Sequence, residues 1–303
     1  MTPPELSSKT LIVITGPTAS GKTDLAIRLA KEAHTGIISA DSRQIYAGIP
    51  IGTAAPDAHQ LAAVPHHLVG ILPLEWSYSA DSFDRDVNTI LPQLWAHSDI
   101  AIMCGGSMMY IDAFINGMDE LPAISPQTRA HVASIAASQG PEAILALLRI
   151  VDPVYYDRVD RANLKRVIHA IEVSYQAGVP YSSLLTGKRR SHPFRIIKVA
   201  PQWPRHLLFE RINLRTHLMV QQGLEQEARA VSHLRHLNSL NTVGYKEMFS
   251  YIDGHITLDE AIAKIARNTR VYAKKQLTWL KKDPTVHYIP HTALPHITLA
   301  DVM

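Results

Sequence analysis

Apolar positions along this chain fall into two periods, and the switches between them lay out a fold. Leu11-Ile-Val-Ile-Thr15 is an unbroken apolar run of strand length, the pattern of a strand buried on both faces. After a loop bounded by Gly16 and Gly21, residues 22–33 carry Leu25, Leu29 and Ala33 at helical spacing. Gly36-Ile-Ile-Ser39 predicts a second short strand, with Asp41 just past its end. Ile100-Ala-Ile-Met103 predicts a third, closed by Gly105-Gly106. Strands alternating with helices predict a parallel sheet, and ligands of such sheets bind beyond the C-terminal strand ends.

The pattern changes after Asn116. Residues 120–126 are broken by two prolines, and Ser125-Pro126 reads as an N-cap followed by Pro at the first helical position. Helical spacing then runs over about 126–138, 141–151 and 162–177, the last stopping at Gly178 and Pro180. No strand pattern occurs between 121 and 190. The expected division is residues 1–120 with 191–303 as one domain and 121–190 as an all-helical insertion. Residues 195–201 are expected to return to the sheet. Everything after them is expected to be helical, over about 204–222, 224–237, 244–253 and 257–282. The last of these opens with Thr257-Leu-Asp-Glu260, a capping box, and stops before Pro284.

The loop after the first strand changes the picture most. Gly16-Pro-Thr-Ala-Ser-Gly-Lys-Thr23 matches G-x-x-x-x-G-K-[ST], placed as that motif requires between a strand and a helix. Its glycines let successive backbone N–H groups converge, the helix start adds positive potential, Lys22 adds a cation, and the Thr23 hydroxyl suits Mg²⁺. The expected fold is therefore α/β, a P-loop-type parallel sheet flanked by helices. A nucleotide kinase ordinarily has a second carboxylate at a buried strand end to hold its metal. Here that strand ends Met103-Cys-Gly-Gly-Ser107, and no Asn-Lys-x-Asp guanine signature occurs. The loop is thus open to a diphosphate other than that of ATP.

Three roles are open to Asp41, which follows the second strand: metal ligand, general base, or cap of the next turn. Arg205, Arg211 and Arg215 lie on one helical segment whose plain reading is a solvated face. On the final helix, Lys264, Arg267, Arg270, Lys274, Lys281 and Lys282 form one arc, with Ile262, Ile265, Tyr272, Leu277 and Leu280 opposite. A basic stripe opposite a core stripe suits phosphate contacts. Further basic clusters at Arg158, Arg161, Lys165 and Arg166 and at Lys188, Arg189 and Arg190 point the same way.

Composition narrows the class. The 303 residues are 46% hydrophobic and 19% charged with a net charge of +3, an ordinary globular balance, mildly basic. One cysteine, Cys104, excludes an internal disulfide and any multi-cysteine zinc or iron–sulfur site. Among sixteen histidines there is no His-Glu-x-x-His, and neither His66-His67 nor His233 with His236 has an evident third ligand. Met109 breaks a G-x-S-x-G elbow at Gly105, so no hydrolase triad is supported. The first ten residues lack an apolar stretch, and no early run approaches a membrane span. A cytoplasmic protein without a membrane segment is expected.

Together these segments resemble the tRNA dimethylallyltransferases, or tRNA isopentenyltransferases, of bacterial type. The matching stretches are the loop 16–23, Ser39-Ala-Asp-Ser-Arg-Gln-Ile-Tyr46, Ile51-Gly-Thr-Ala-Ala-Pro56, Tyr78-Ser-Ala-Asp-Ser-Phe83 and Gly105-Gly-Ser-Met-Met-Tyr110. Lys165-Arg-Val-Ile-His-Ala-Ile-Glu-Val173, Val243-Gly-Tyr-Lys-Glu247 and Asn268-Thr-Arg-Val-Tyr-Ala-Lys-Lys-Gln-Leu-Thr-Trp279 follow in order, so the resemblance covers about residues 11–282. Ala55, Gly70 and Ser107 stand where the family more often has Lys, Asp and Thr.

The resemblance implies transfer of a dimethylallyl group from dimethylallyl diphosphate to N6 of adenosine 37 in the tRNA anticodon stem-loop. It implies that Gly16, Pro17, Thr18, Ala19, Ser20, Gly21, Lys22 and Thr23 hold the donor diphosphate. Mg²⁺ would sit at Thr23, and Thr18, Asp41 and Arg215 would be catalytic, Asp41 as general base. Family tRNA contacts fall on Asp41, Ser42, Arg43, Gln44, Ser107, Arg129, Asn163, Leu164, Lys165, Arg166, Val167, Asn241, Thr242, Val243, Gly244, Tyr245 and Lys246. A monomer is expected. The other readings are an adenylate isopentenyltransferase acting on free AMP and a P-loop kinase of a small metabolite.

Overall fold

The computed structural model describes residues 6–187 and 189–303. The described residues divide into two compact units, one of residues 6–115 and 191–303 and the other of those within 116–190.

The first unit is built on a parallel sheet. Its elements begin with β1 (Thr10–Thr15), α1 (Lys22–Glu32), β2 (Ile37–Ser39), α2 (Ala58–Ala63), β3 (His66–His67), α3 (Ala80–Trp95), β4 (Ile100–Gly105) and α4 (Met108–Asn116). Described strands are ordered β3-β2-β4-β1, continuing through β5 (Arg195–Gln202) to β6 (Val286–Pro290), and all neighbouring pairs are parallel. β1 is central, with Ile12 level with Ile102 on β4 and with Ile197 on β5. Alternate side chains of β1 enter different cores, as the two-residue period of a strand requires. Leu11 and Val13 pack with Phe83, Val87, Leu91 and Phe114 of α3 and α4, while Ile12 and Ile14 pack with Leu25, Ala26 and Leu29 of α1. That double burial is why the strand reads as continuous apolar sequence.

The second unit is helical in its described residues. It contains α5 (Pro126–Val151), α6 (Pro153–Arg158), α7 (Leu164–Ala177) and α8 (Tyr181–Leu184) around Val132, Ile144, Leu148, Val159, Val167 and Ile171. α5 breaks at Gly140, whose φ of 77° is followed by Pro141, so the two predicted helical stretches meet end to end. Asn163 caps α7 through the Arg166 N–H, and Gly178 closes it in the left-handed region.

After β5 the chain forms α9 (Arg205–Gln221), α10 (Leu224–Ala230), α11 (Tyr245–Ile252) and α12 (Leu258–Leu280), and after β6 comes α13 (Leu299–Val302). Two expectations need correction. The tail is not wholly helical: Val286–Pro290 is a strand, hidden in the sequence because only Val286 and Ile289 of this edge strand are buried. The helix expected over 224–237 stops at Ala230, where the Ser232 hydroxyl bonds back to the Arg229 carbonyl. No helix of the described residues is long and apolar enough to cross a membrane.

Candidate active site

The loop between β1 and α1 turns through three residues at positive φ: Gly16 at 145°, Ala19 at 64° and Gly21 at 84°. Gly21 precedes α1 without a side-chain cap, so the first-turn N–H groups are left for a ligand. Lys22 folds back and its Nζ donates to the Pro17 carbonyl at 2.7 Å. Loss of hydration pulls its ammonium down to about 8; Cys104 and Asp41 oppose the shift and Arg215 adds to it. The Ser20 hydroxyl is buried with no hydrogen-bond partner among the described residues, an orphan polar group inside the loop. Burial pushes the Cys104 thiol up to about 12, so it stays neutral near pH 7.

Side chains from distant elements close on this loop. Arg215 of α9 donates to the Thr18 hydroxyl, and desolvation pulls its guanidinium down to about 10. Gln276, buried on α12, accepts from the Thr18 N–H and donates to the Gly106 carbonyl, both at 2.9 Å. The two glycines after β4 permit this approach. A Cβ on Gly106 would lie 2.4 Å from Gln276, and one on Gly105 only 2.0 Å from the Ala40 carbonyl. Asp41 caps the turn it opens, its Oδ1 accepting from the N–H groups of Arg43 (2.9 Å) and Gln44 (3.3 Å). The Ser107 hydroxyl accepts from the Ser42 N–H at 2.8 Å, a role that either Ser or Thr fills.

Two cavities adjoin here. One, about 260 Å³, is lined by the loop 18–24 with Cys104, Gly105, Gly106, Arg211 and Gln276. The other, about 440 Å³, is lined by Ser42, Arg43, Met219, Leu224, residues 241–244, Lys246 and Ile265. Thr18, Asp41, Thr53, Ala54, Arg215 and Tyr272 line both. The wall at 49–54 is pinned by Glu227, whose carboxylate accepts from the N–H groups of Ile51 (2.8 Å) and Gly52 (2.7 Å) and from the Tyr245 hydroxyl. Gly52 is required, since a Cβ there would lie 2.4 Å from the Tyr245 ring. The wall at 241–246 is pinned by Glu247, which accepts from the Gly244 N–H at 2.8 Å and from Asn268 of α12 at 2.7 Å.

The residues expected on sequence grounds thus divide. Those at 16–23, 41–44, 107, 215 and 241–246 converge in the first unit. Arg129 is exposed on α5 and residues 163–167 form the start of α7, both in the second unit. Corrections apply to single side chains. Tyr245 and Val167 are fully buried, so neither side chain reaches a ligand: Tyr245 holds the 49–54 wall and Val167 fills the helical core. Tyr272, expected on the core stripe of the final helix, is 41% exposed and lines both cavities. Its phenol, desolvated beside Asp41, is pushed up to about 12. Arg270 leaves the basic arc to donate to Asn213 of α9. Lys188 of the basic cluster at 188–190 lies outside the described residues. Sequence reading missed the roles of Gln276, Glu227 and Glu247. A Gln on the buried stripe of a helix is a signal in itself; the two glutamates carry none.

A divalent metal fits the donor chemistry in one way. No group of three His, Cys, Asp or Glu side chains comes together among the described residues. The loop cavity instead offers the Thr23 hydroxyl beside Asp24 and Asp41. Such a sparse oxygen set suits Mg²⁺, which keeps waters and takes phosphate oxygens as ligands.

Residues 44–283 match the family model described as IPP transferase. The chain belongs to the IPP transferase family. It is 48% identical over 279 residues to tRNA dimethylallyltransferase 1 of Bacteroides thetaiotaomicron, covering 92% of this chain and 91% of that one. The corresponding protein of Phocaeicola vulgatus is 50% identical over 277 residues, with 91% and 92% covered. The crystal structure of a tRNA isopentenylpyrophosphate transferase from Bacillus halodurans superposes with a TM-score of 0.67 at 33% identity, covering 93% of this chain and 90% of that one. A eukaryotic dimethylallyltransferase acting on tRNA shares the fold, with a TM-score of 0.83 at 22% identity over 95% of this chain and 75% of that one.

Proposed function

We propose that this IPP transferase family member moves a dimethylallyl group from dimethylallyl diphosphate to N6 of adenosine 37 in tRNA, releasing diphosphate. One observation carries the reading: the phosphate-loop cavity and the cavity walled by residues 241–246 meet at Thr18, Asp41 and Arg215. A donor in one and an unstacked adenine in the other would bring their reacting atoms together there.

The chemistry follows from that meeting. The allylic C1–O bond breaks with its electron pair leaving on the diphosphate, and the N6–C1 bond forms. Charge growing on the leaving group is met by the loop N–H groups, Lys22 and Arg215, fixed beforehand and screened from water. Thr18 accepts from Arg215, which turns its own hydrogen toward the diphosphate. Mg²⁺, held by Thr23, would add charge neutralisation when bound. The adenine amine is a weak nucleophile and loses a proton as it is alkylated. Asp41 Oδ2, which makes no protein hydrogen bond among the described residues, takes that proton. An anticodon-loop base must leave its stack to reach this depth, and loop bases are the readable part of a folded RNA. Gripping of the stem-loop by residues 121–190, action as a monomer and a cytoplasmic location belong to the same reading.

The test is incubation with labelled dimethylallyl diphosphate and either bulk tRNA or AMP. Label at adenosine 37 of tRNA, with none in AMP, is the expected result. Transfer to AMP, or ATP turnover without tRNA, overturns it.

A further inference from the structure

Two peptide planes of the phosphate loop are held from behind by side chains that follow β5. Arg211 Nε donates to the Ala19 carbonyl at 2.8 Å, and Trp203 Nε1 donates to the Ser20 carbonyl at 2.9 Å. In a trans peptide the carbonyl and the following N–H point in opposite directions. A carbonyl drawn toward Arg211 or Trp203 therefore aims the next N–H away from them. Arg211 sets the direction of the Ser20 N–H, and Trp203 that of the Gly21 N–H. The Pro17–Thr18 peptide, earlier in the loop, is held differently: the Pro17 carbonyl faces Lys22 and the Thr18 N–H is spent on Gln276. The Ser20 and Gly21 N–H groups aimed by this pair, unlike that of Thr18, have no protein acceptor among the described residues.

The brace is itself organised. The Arg211 guanidinium stands 4.5 Å from the Trp203 ring centroid, and the His291 ring lies 4.7 Å from the same centroid at 35°. His291 is fixed by its own N–H, which donates to the Gln202 carbonyl at 2.8 Å. Trp203 lines neither cavity of the site and carries no charge, so any effect it has on an anion passes through the loop. Ala19, a non-glycine residue at a φ of 64°, occupies a conformation that needs outside support.

We propose that Trp203 is a positioning residue of the diphosphate site. Through the Ser20 carbonyl, and with Arg211 on the Ala19 carbonyl, it holds the loop N–H groups in their anion-binding direction before the ligand arrives. This rests on the reading of the loop as the donor diphosphate site.

The test uses Trp203→Phe, which keeps a ring for Arg211 and His291 but has no N–H. The probe is inorganic pyrophosphate with Mg²⁺, titrated by calorimetry. Loss of one neutral hydrogen bond should weaken binding about two- to tenfold. The KM for the prenyl donor should rise to match, with tRNA affinity unchanged. Indole emission should respond to pyrophosphate in the natural protein and not in the variant. Arg211→Lys keeps the charge and loses the Nε geometry, and should also bind more weakly. Undiminished pyrophosphate binding by Trp203→Phe overturns the proposal, as does a parallel loss of tRNA affinity, which would mark a general structural role. If the natural protein binds no pyrophosphate, the reading of the loop fails and the brace with it.

Discussion

Asp41 spends one carboxylate oxygen on the backbone turn that it opens, while the other accepts no protein hydrogen bond among the described residues. This separates its readings experimentally. Asp41→Asn retains Oδ1 and therefore the turn, so its melting temperature should match the natural protein while kcat falls by about 10²–10⁴. Asp41→Ala loses the cap as well and should also cost about 1 kcal/mol of stability. If Asn leaves kcat near normal, Asp41 is a structural cap and no base. Lys22 gives a prediction of a different kind. Its ammonium is held down to about 8, below the ordinary 10.5, and a bound diphosphate would restore the charge. Pyrophosphate affinity should fall as pH rises past 8, and calorimetry at pH 8.5 in two buffers should show net proton uptake on binding. In the free enzyme the unfolded chain holds the extra proton between about 8 and 10.5, so this group makes stability rise with pH over that window. Binding without proton uptake at pH 8.5 would show that the lysine does not answer to the anion.

The helix α12 works on two faces at once. Its buried face carries Ile265, Ala273 and Leu280, and also Gln276, which ties it to the donor loop. Its outer face carries Lys264, Arg267, Lys274 and Lys275, all exposed. Exposed cations on RNA phosphates release counterions, and each contact contributes roughly 0.7–0.9 to the salt slope of binding. Replacing Arg267 and Lys274 together with Gln should weaken tRNA binding and flatten the slope by roughly 1.4–1.8. Pyrophosphate affinity should stay unchanged. Titrations at several salt concentrations check both, and an unchanged slope would mean that this face is solvated surface only. Elements of this kind were legible in the sequence to differing degrees. β1, α1 and the loop between them were legible because a doubly buried strand and a glycine-bounded turn each leave a local mark. β6 was not, since an edge strand needs only two buried residues. The role of Glu227 was not either, because its partners Ile51 and Gly52 lie about 175 residues away, and the Tyr245 hydroxyl reaches as far, to the Ile49 carbonyl; no local pattern records a long-range hydrogen bond.

At the scale of the molecule, each compact unit has a core of its own. The unit 116–190 encloses Val132, Ile144, Leu148, Val167 and Ile171, and none of these belongs to the clusters on either face of the sheet. Its ends meet, the Arg190 N–H donating to the Asn116 carbonyl at 2.8 Å. Replacing residues 117–189 by a short Gly-Ser linker should therefore leave the sheet unit folded. Pyrophosphate binding should be unchanged, while tRNA affinity should drop at least tenfold. Loss of cooperative melting or of pyrophosphate binding in that variant would show that the sheet unit depends on the excised helices. The strand order also has a consequence for the chain as it is made. β1 is made before the other described strands of its sheet, yet its two neighbours are β4 and β5, which begin at residues 100 and 195. At about 5–20 residues per second the second partner follows β1 after roughly 10–35 s. For that time a strand with four consecutive apolar residues, Leu11–Ile14, waits on the ribosome with one or both edges open. The birth of this protein is thus a contest between completing its own sheet and pairing with other nascent chains, decided by whatever shields residues 10–15 in the interval.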